Sequence, residues 1–309
     1  MRGVSNTFLQ RNPFAVRQRR REMDQAIIDL YDEYTHAPLK RRVFLARLVQ
    51  LAGGTAAAAA ILARLEPNYA KAAVVEPDDP RLAVERLDYP GATGGVSAYV
   101  ARPADASGPL PAVIVIHENR GLNQHIEDVA RRAALAGFLA LAPDLLSPLS
   151  GTPGDPDRAR EMIGQLDAAQ AVRDAAAAID ALKARPDANG RVGAVGFCWG
   201  GGVVGQLAVA AGDRLGAAVV FYGRAPDSTE VAKIQAPLLL HYAGLDERIN
   251  AGVPAFQGAL DAAGTDYRLH MYEGVNHAFH NDSSAERYDA AAAALAWERT
   301  IDFLNQQLG

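Results

Sequence analysis

From residue 81 onward the apolar positions fall into short, evenly spaced runs. Eight of them are rich in β-branched residues and read as strands: AVERLDY (83–89), VSAYVA (96–101), AVIVIH (112–117), FLALAP (138–143), RVGAVGF (191–197), AAVVFY (217–222), PLLLHYA (237–243) and YRLHMY (267–272). Between them the apolar residues take a helical period, which predicts helices over about 124–136, 157–185, 199–211, 250–263 and 285–307. The first two strands are separated only by Pro90 and GATGG (91–95), a turn sequence, and so predict an antiparallel pair. From residue 112 strands and helices alternate. That order predicts an α/β domain with a mostly parallel central sheet and helices on both faces. No repeat or long linker interrupts 81–309.

The first eighty residues are patterned differently. RREMDQAIIDLYDEY (20–34) spaces Ile27, Ile28, Tyr31 and Tyr34 for one face of a helix. Leu48 to Leu62 carries no charge but is only fifteen residues long. A membrane span needs roughly 20, so no stable span is expected. Charge is also uneven. Residues 1–50 hold ten Lys and Arg against five acids, a net of +5, which leaves the remainder near −10 within the total of −5. A basic head on an acidic body is a targeting pattern more often than a folding one. Within it, Arg41-Arg42-Val43-Phe44-Leu45 resembles the twin-arginine export signal, whose passengers cross the membrane already folded, and Ala70-Lys71-Ala72 has the form of a cleavage site. The expectation is an N-terminal extension over 1–72 with an export signal, the export machinery as partner and a periplasmic location, followed by one domain over 73–309. The alternative is a surface helix with an Ala-rich face on a cytoplasmic protein.

Composition narrows the chemistry by exclusion. With 309 residues, 49% of them hydrophobic, the chain can fill a substantial core. Its net charge gives no reason to expect nucleic acid. A single cysteine, Cys198, excludes an intrachain disulfide and a cysteine-rich zinc site. His277 and His280 have metal-ligand spacing but no third ligand nearby in sequence, so neither metal nor cofactor is expected. A thiol-redox role lacks a second cysteine.

Three candidate residues follow predicted strands. RVGAVGF leads into Cys198, PLLLHYAGL into Asp246, and YRLHMYEGVN into His277. In parallel α/β sheets, active sites collect at the carboxyl ends of the strands. Gly196-Phe197-Cys198-Trp199-Gly200 has the form G-x-nucleophile-x-G, a sharp strand-to-helix turn whose flanking glycines leave no side chain to collide with the backbone. A helix N-terminus there would favour a thiolate and then an oxyanion. Taken alone, the cysteine could equally be a packing thiol. Together the three make a Cys-His-Asp set in the order nucleophile, acid, histidine. His277 would take or share the thiol proton, and Asp246 would fix its tautomer.

At these residues the sequence resembles the dienelactone hydrolase (carboxymethylenebutenolidase) family of the α/β-hydrolase superfamily. The likeness runs over about 85–305, through HENRGLN (117–123), ALAPDLL (140–146), GRVGAVGFCWGG (190–201), VVFYG (219–223), HYAGLDERI (241–249), YEGVNHAF (272–279) and ERTIDFL (298–304). The resemblance implies the α/β-hydrolase fold and cleavage of a small ester or lactone through a thioester on Cys198, with His277 as base and Asp246 as orienter. It implies that Glu118 approaches the thiol and that the backbone amides of Trp199 and Asn119 form the oxyanion hole. In dienelactone-cleaving members two arginines grip the substrate carboxylate. Arg160 matches the first, with Arg158 as rival register. The second position is Asn281, with His280 beside it. Arg120 offers a cation from another wall, and Tyr222 joins these as a substrate-binding candidate. An amide does not replace a bidentate guanidinium clamp, so the carboxylate-bearing dienelactone is the less expected substrate. The alternatives are a non-catalytic protein holding a small acid on the same fold, and a general carboxylesterase of different range.

Overall fold

The computed structural model describes residues 13–37, 39–66, 73–92 and 94–309. The chain divides into two compact units, Met1–Pro67 and Asn68–Gly309.

The first unit is helical: α1 (Pro13–His36), α2 (Arg41–Ala52) and α3 (Thr55–Leu65). Ile27, Ile28, Tyr31 and Tyr34, the predicted apolar face, are buried, and they gather Phe44, Leu48, Ala58 and Leu65 into one cluster. Tyr34 stacks on Phe44 with ring centroids 4.4 Å apart. Arg41 donates to the Tyr34 hydroxyl and pairs with Glu66 at 3.2 Å. Among the described residues no single helix is long and apolar enough to cross a membrane; α2 and α3 meet at a bend of 114°. The Ala70-Lys71-Ala72 site lies outside the described residues.

The second unit is an eight-stranded sheet: β1 (Leu82–Pro90), β2 (Gly95–Pro103), β3 (Leu110–Ile116), β4 (Leu139–Pro143), β5 (Ala188–Phe197), β6 (Ala217–Phe221), β7 (Leu238–Ala243) and β8 (Tyr267–Tyr272), in the order β1-β2-β4-β3-β5-β6-β7-β8. β1 and β2 pair antiparallel, as expected, and β2 meets β4 antiparallel; every later pairing is parallel. Thr93, inside the predicted hairpin turn, lies outside the described residues, and Gly91 N–H donates to Gly94 O across it. The continuous apolar runs sit in the middle, where helices cover both faces. All five residues from Ala112 to Ile116 are buried, whereas the edge strand β1 is mostly open.

Period-two alternation sorts the strand residues into two layers. Ile114, Ile116, Ala194, Val220 and Leu240 meet α6 (Ala168–Lys183), α7 (Trp199–Ala211) and α9 (Val253–Ala263). Val113, Val115, Val195, Phe197 and Phe221 meet α4 (Gln124–Leu135) and α10 (Ala290–Leu308). Where the expected helices differ from those formed, a cap explains it. The run 157–185 divides into α5 (Pro156–Ile163) and α6 because Gly164 closes the first and the Asp167 carboxylate accepts from Ala169 and Gln170 N–H to open the second. The helix expected at 250–263 forms as α9 (Val253–Ala263), which starts at Val253-Pro254, and a separate short α8 (Glu247–Asn250), capped by Asp246, precedes it. The last helix begins at Ala290 rather than 285 because Asp289 caps Ala292 N–H.

β4 and β5 flank β3 on opposite sides, so the chain changes its direction of winding there. The carboxyl ends of β3 and β5 form the crevice at which ligands gather in such sheets.

Candidate active site

Five parallel strands deliver the candidate residues to one edge of the sheet. Glu118 follows β3, Cys198 follows β5, Tyr222 follows β6, Asp246 follows β7 and His277 follows β8. Cys198 occupies the turn into α7 with φ +56° and ψ −116°, a conformation that a β-carbon normally avoids. Its N–H donates to Phe221 O at 3.0 Å, and its carbonyl accepts from Gly202 N–H at 3.2 Å. The flanking glycines are required. A Cβ on Gly196 would stand 2.2 Å from Gly200 O, and one on Gly200 would stand 2.3 Å from His117 O. Cys198 is thus held at the first turn of a helix, where free amides and the dipole favour negative charge.

His277 lies between the other two. Its Nδ1 meets Asp246 Oδ2 at 2.5 Å, and the Cys198 Sγ lies within 4.8 Å of a ring nitrogen. Burial opposes charge on the imidazole, but the Cys198 sulfur and the Asp246 carboxylate outweigh it and raise its pKa to about 10. Burial likewise opposes charge on Asp246, yet the His277 imidazole and its hydrogen bond keep the carboxyl below its ordinary range. Asp246 also accepts from Ile249 N–H at 3.2 Å, so the cap of α8 fixes the carboxylate that orients the histidine. An imidazole with a carboxylate on one nitrogen and a thiol beside the ring can carry the proton between sulfur and a leaving group.

Glu118 is buried beside this set. Asn281 Nδ2 donates to its Oε2 at 2.5 Å, and the Tyr222 hydroxyl donates to its Oε1 at 3.5 Å. The Tyr222 ring also packs on His277, with centroids 4.9 Å apart. Burial, then the nearby Glu118 and Cys198 charges, push the Tyr222 hydroxyl well above its ordinary pKa, which keeps it a donor. Asn281 and Tyr222, both substrate-binding candidates from the sequence, are fully buried, and their polar groups meet Glu118. The other face of the Asn281 amide is also committed, accepting from Ser283 N–H and Oγ–H.

Arg120, two residues beyond Glu118, pairs with Asp157 at 3.1 Å, and Arg160 Nε approaches the same oxygen at 3.8 Å. Arg158 instead pairs with Glu161 in solvent. Sequence reading missed Asp157 because nothing in the spacing of 120, 157 and 160 shows one carboxylate between two guanidinium groups. Trp199 is half-buried; its indole stacks on His117 at 5.3 Å and packs against the cluster of Leu146, Ala159, Met162 and Ile163. His280, ring to ring with Phe197 at 4.9 Å, faces the core.

The dienelactone hydrolase family model matches residues 96–308. The chain belongs to the dienelactone hydrolase family. That membership places it among the carboxylic ester hydrolases. A Methylorubrum extorquens protein provisionally named carboxymethylenebutenolidase is 32% identical over 293 residues, covering 90% of this chain and 97% of that one. The Escherichia coli K12 hydrolase fragment YghX, also a provisional assignment, is 52% identical over 112 residues, 36% of this chain and 96% of the fragment. Among solved structures, a dienelactone hydrolase-like promiscuous phosphotriesterase from metagenomic libraries superposes with a TM-score of 0.67 at 29% identity, over 74% of this chain and 100% of that one. The part of this dienelactone hydrolase family member ahead of the matched domain is similar to another family: residues 15–52 match a YqhI-like model.

Proposed function

We propose that this hydrolase cleaves a small ester or lactone through a thioester on Cys198. The supporting observation is the line of Asp246, His277 and Cys198: the carboxylate bonds the imidazole, and the sulfur, on the strained elbow, lies within 4.8 Å of a ring nitrogen. The Cys198 sulfur attacks the carbonyl carbon, and the thiol proton resides on His277. The tetrahedral oxyanion is received by the amides of Trp199 and Asn119. His277 then gives its proton to the leaving alkoxide as the carbon–oxygen bond breaks. A water deprotonated by His277 hydrolyses the thioester and restores the thiol. Glu118, held by Asn281 and Tyr222, presents a carboxylate beside the sulfur and disfavours a free thiolate before substrate arrives. With the Asn281 amide occupied by Glu118, the substrate is an ester or lactone that needs no two-arginine grip, and Arg160 with Arg120 supplies the cationic side. Replacing Cys198 with Ala should abolish hydrolysis of short activated esters and lactones; full turnover by that variant would sink the assignment.

Residues 1–72 are proposed as an export leader for the folded hydrolase. The motif Arg41-Arg42-Val43-Phe44-Leu45 and the net basic head support this reading. Changing Arg41 and Arg42 to Lys should keep the protein in the cytoplasm, and unchanged fractionation contradicts export by this route.

A further inference from the structure

We infer that His117 is a positioning residue for the oxyanion hole. This rests on the acyl-transfer reading above. His117 directly follows β3 and is fully buried. Its Nδ1 lies 2.7 Å from Glu118 O, and its Nε2 lies 3.3 Å from Leu145 N. A carbonyl only accepts and an amide N–H only donates, so the two partners assign one neutral tautomer. Nδ1–H donates to Glu118 O, and Nε2 accepts from Leu145 N–H. Burial lowers the pKa of the ring and keeps it neutral, although Asp144 pulls the other way.

The first of these bonds aims a neighbouring amide. In a trans peptide the C=O and the following N–H lie in one plane and point in opposite directions. Pinning Glu118 O therefore fixes the direction of Asn119 N–H, one of the two oxyanion donors. The ring also stacks on the indole of Trp199, which carries the other donor, with planes 14° apart. The carbonyl of His117 lies against the α-carbon of Gly200, closely enough to exclude a side chain there. One imidazole thus joins the loops after β3 and β4 to the first turn of α7. Donors must stand where the oxyanion forms rather than where the ground-state oxygen lies, so their direction matters most in the transition state.

Two variants separate the bonds. His117→Gln can reach Leu145 N–H but has no donor at the Nδ1 position. His117→Asn keeps a donor there through its amide and loses the distal acceptor. With a short activated ester, His117→Gln should lower kcat by about 10- to 100-fold with KM nearly unchanged, less than outright loss of a donor. His117→Asn should retain kcat within about threefold, because the conservative donor rescues the amide direction. Alkylation of Cys198 by iodoacetamide forms no oxyanion, so its rate and pH profile should match wild type in both variants. Wild-type kcat in His117→Gln overturns the inference. So does an equal loss in both variants, or a loss of kcat matched by an equal loss of alkylation rate. If His117→Gln does not fold, His117→Asn decides: a fall in kcat beyond tenfold with normal alkylation overturns it. Iodoacetamide that fails to inactivate the wild type counts instead against Cys198 as nucleophile.

Discussion

The proposed catalytic edge and the proposed recognition side of this hydrolase are built by different means. Cys198, Asp246 and His277 are placed by main chain: a turn with positive φ, a helix cap, and the ends of parallel strands. Arg120, Arg160 and Asn281 are placed by the side chains they meet, two on Asp157 and one on Glu118. Main-chain placement leaves a mark in sequence, because a sharp turn needs glycine and a cap needs a short polar residue. Side-chain placement leaves none when the partner lies tens of residues away.

The contrast predicts a graded series of effects. His277→Ala removes the proton carrier and should lower kcat by about 10⁴-fold, measured on a short activated ester. Asp246→Asn should cost about 10²- to 10³-fold and shift the pH profile. His277 has its pKa raised to about 10 in the folded protein, against an ordinary value of 6.5. Its charged form therefore adds stability that is complete below 6.5 and is lost as pH rises through about 10. Removing the Asp246 charge should move that alkaline loss to lower pH in thermal unfolding; an unmoved limb would detach Asp246 from the histidine.

Gly200→Ala places a Cβ against the backbone of His117 and Ile116, and should destabilise by about 3 kcal/mol or prevent folding. Gly202→Ala is the control from the same run of glycines. Its nearest neighbour would lie at 3.6 Å, ordinary contact, so chemical denaturation should show a change within about 1 kcal/mol in the stabilising direction. Equal effects at the two positions would refute main-chain control of the elbow. On the recognition side, Arg160→Ala should raise KM about tenfold for an ester bearing a carboxylate, with kcat little changed, and leave KM for a neutral ester unaltered. A comparable kcat loss on both esters would make Arg160 part of the chemistry instead.

The same division explains what could be read before the fold was known. The eight strands, their antiparallel start and the three strand-end residues were legible because burial on two faces forces apolar runs and the elbow forces glycine. The break between α5 and α6 was hidden because Asp167 looks like any surface acid until its neighbours turn. Asn281 was read from its place in the family's pattern, which carries no sign of its partner Glu118, 163 residues away. His117 stands in the sequence only as the last residue of AVIVIH, and its tautomer follows once Glu118 O and Leu145 N are seen around it.

The central claim is that the acyl group passes through Cys198. Rapid acid quenching during turnover of a slow ester, followed by intact-mass and peptide analysis, tests it directly. The account predicts one added acyl mass on the peptide containing Cys198, absent from the Cys198→Ala variant. Turnover without any adduct, or an adduct on another residue, would contradict it.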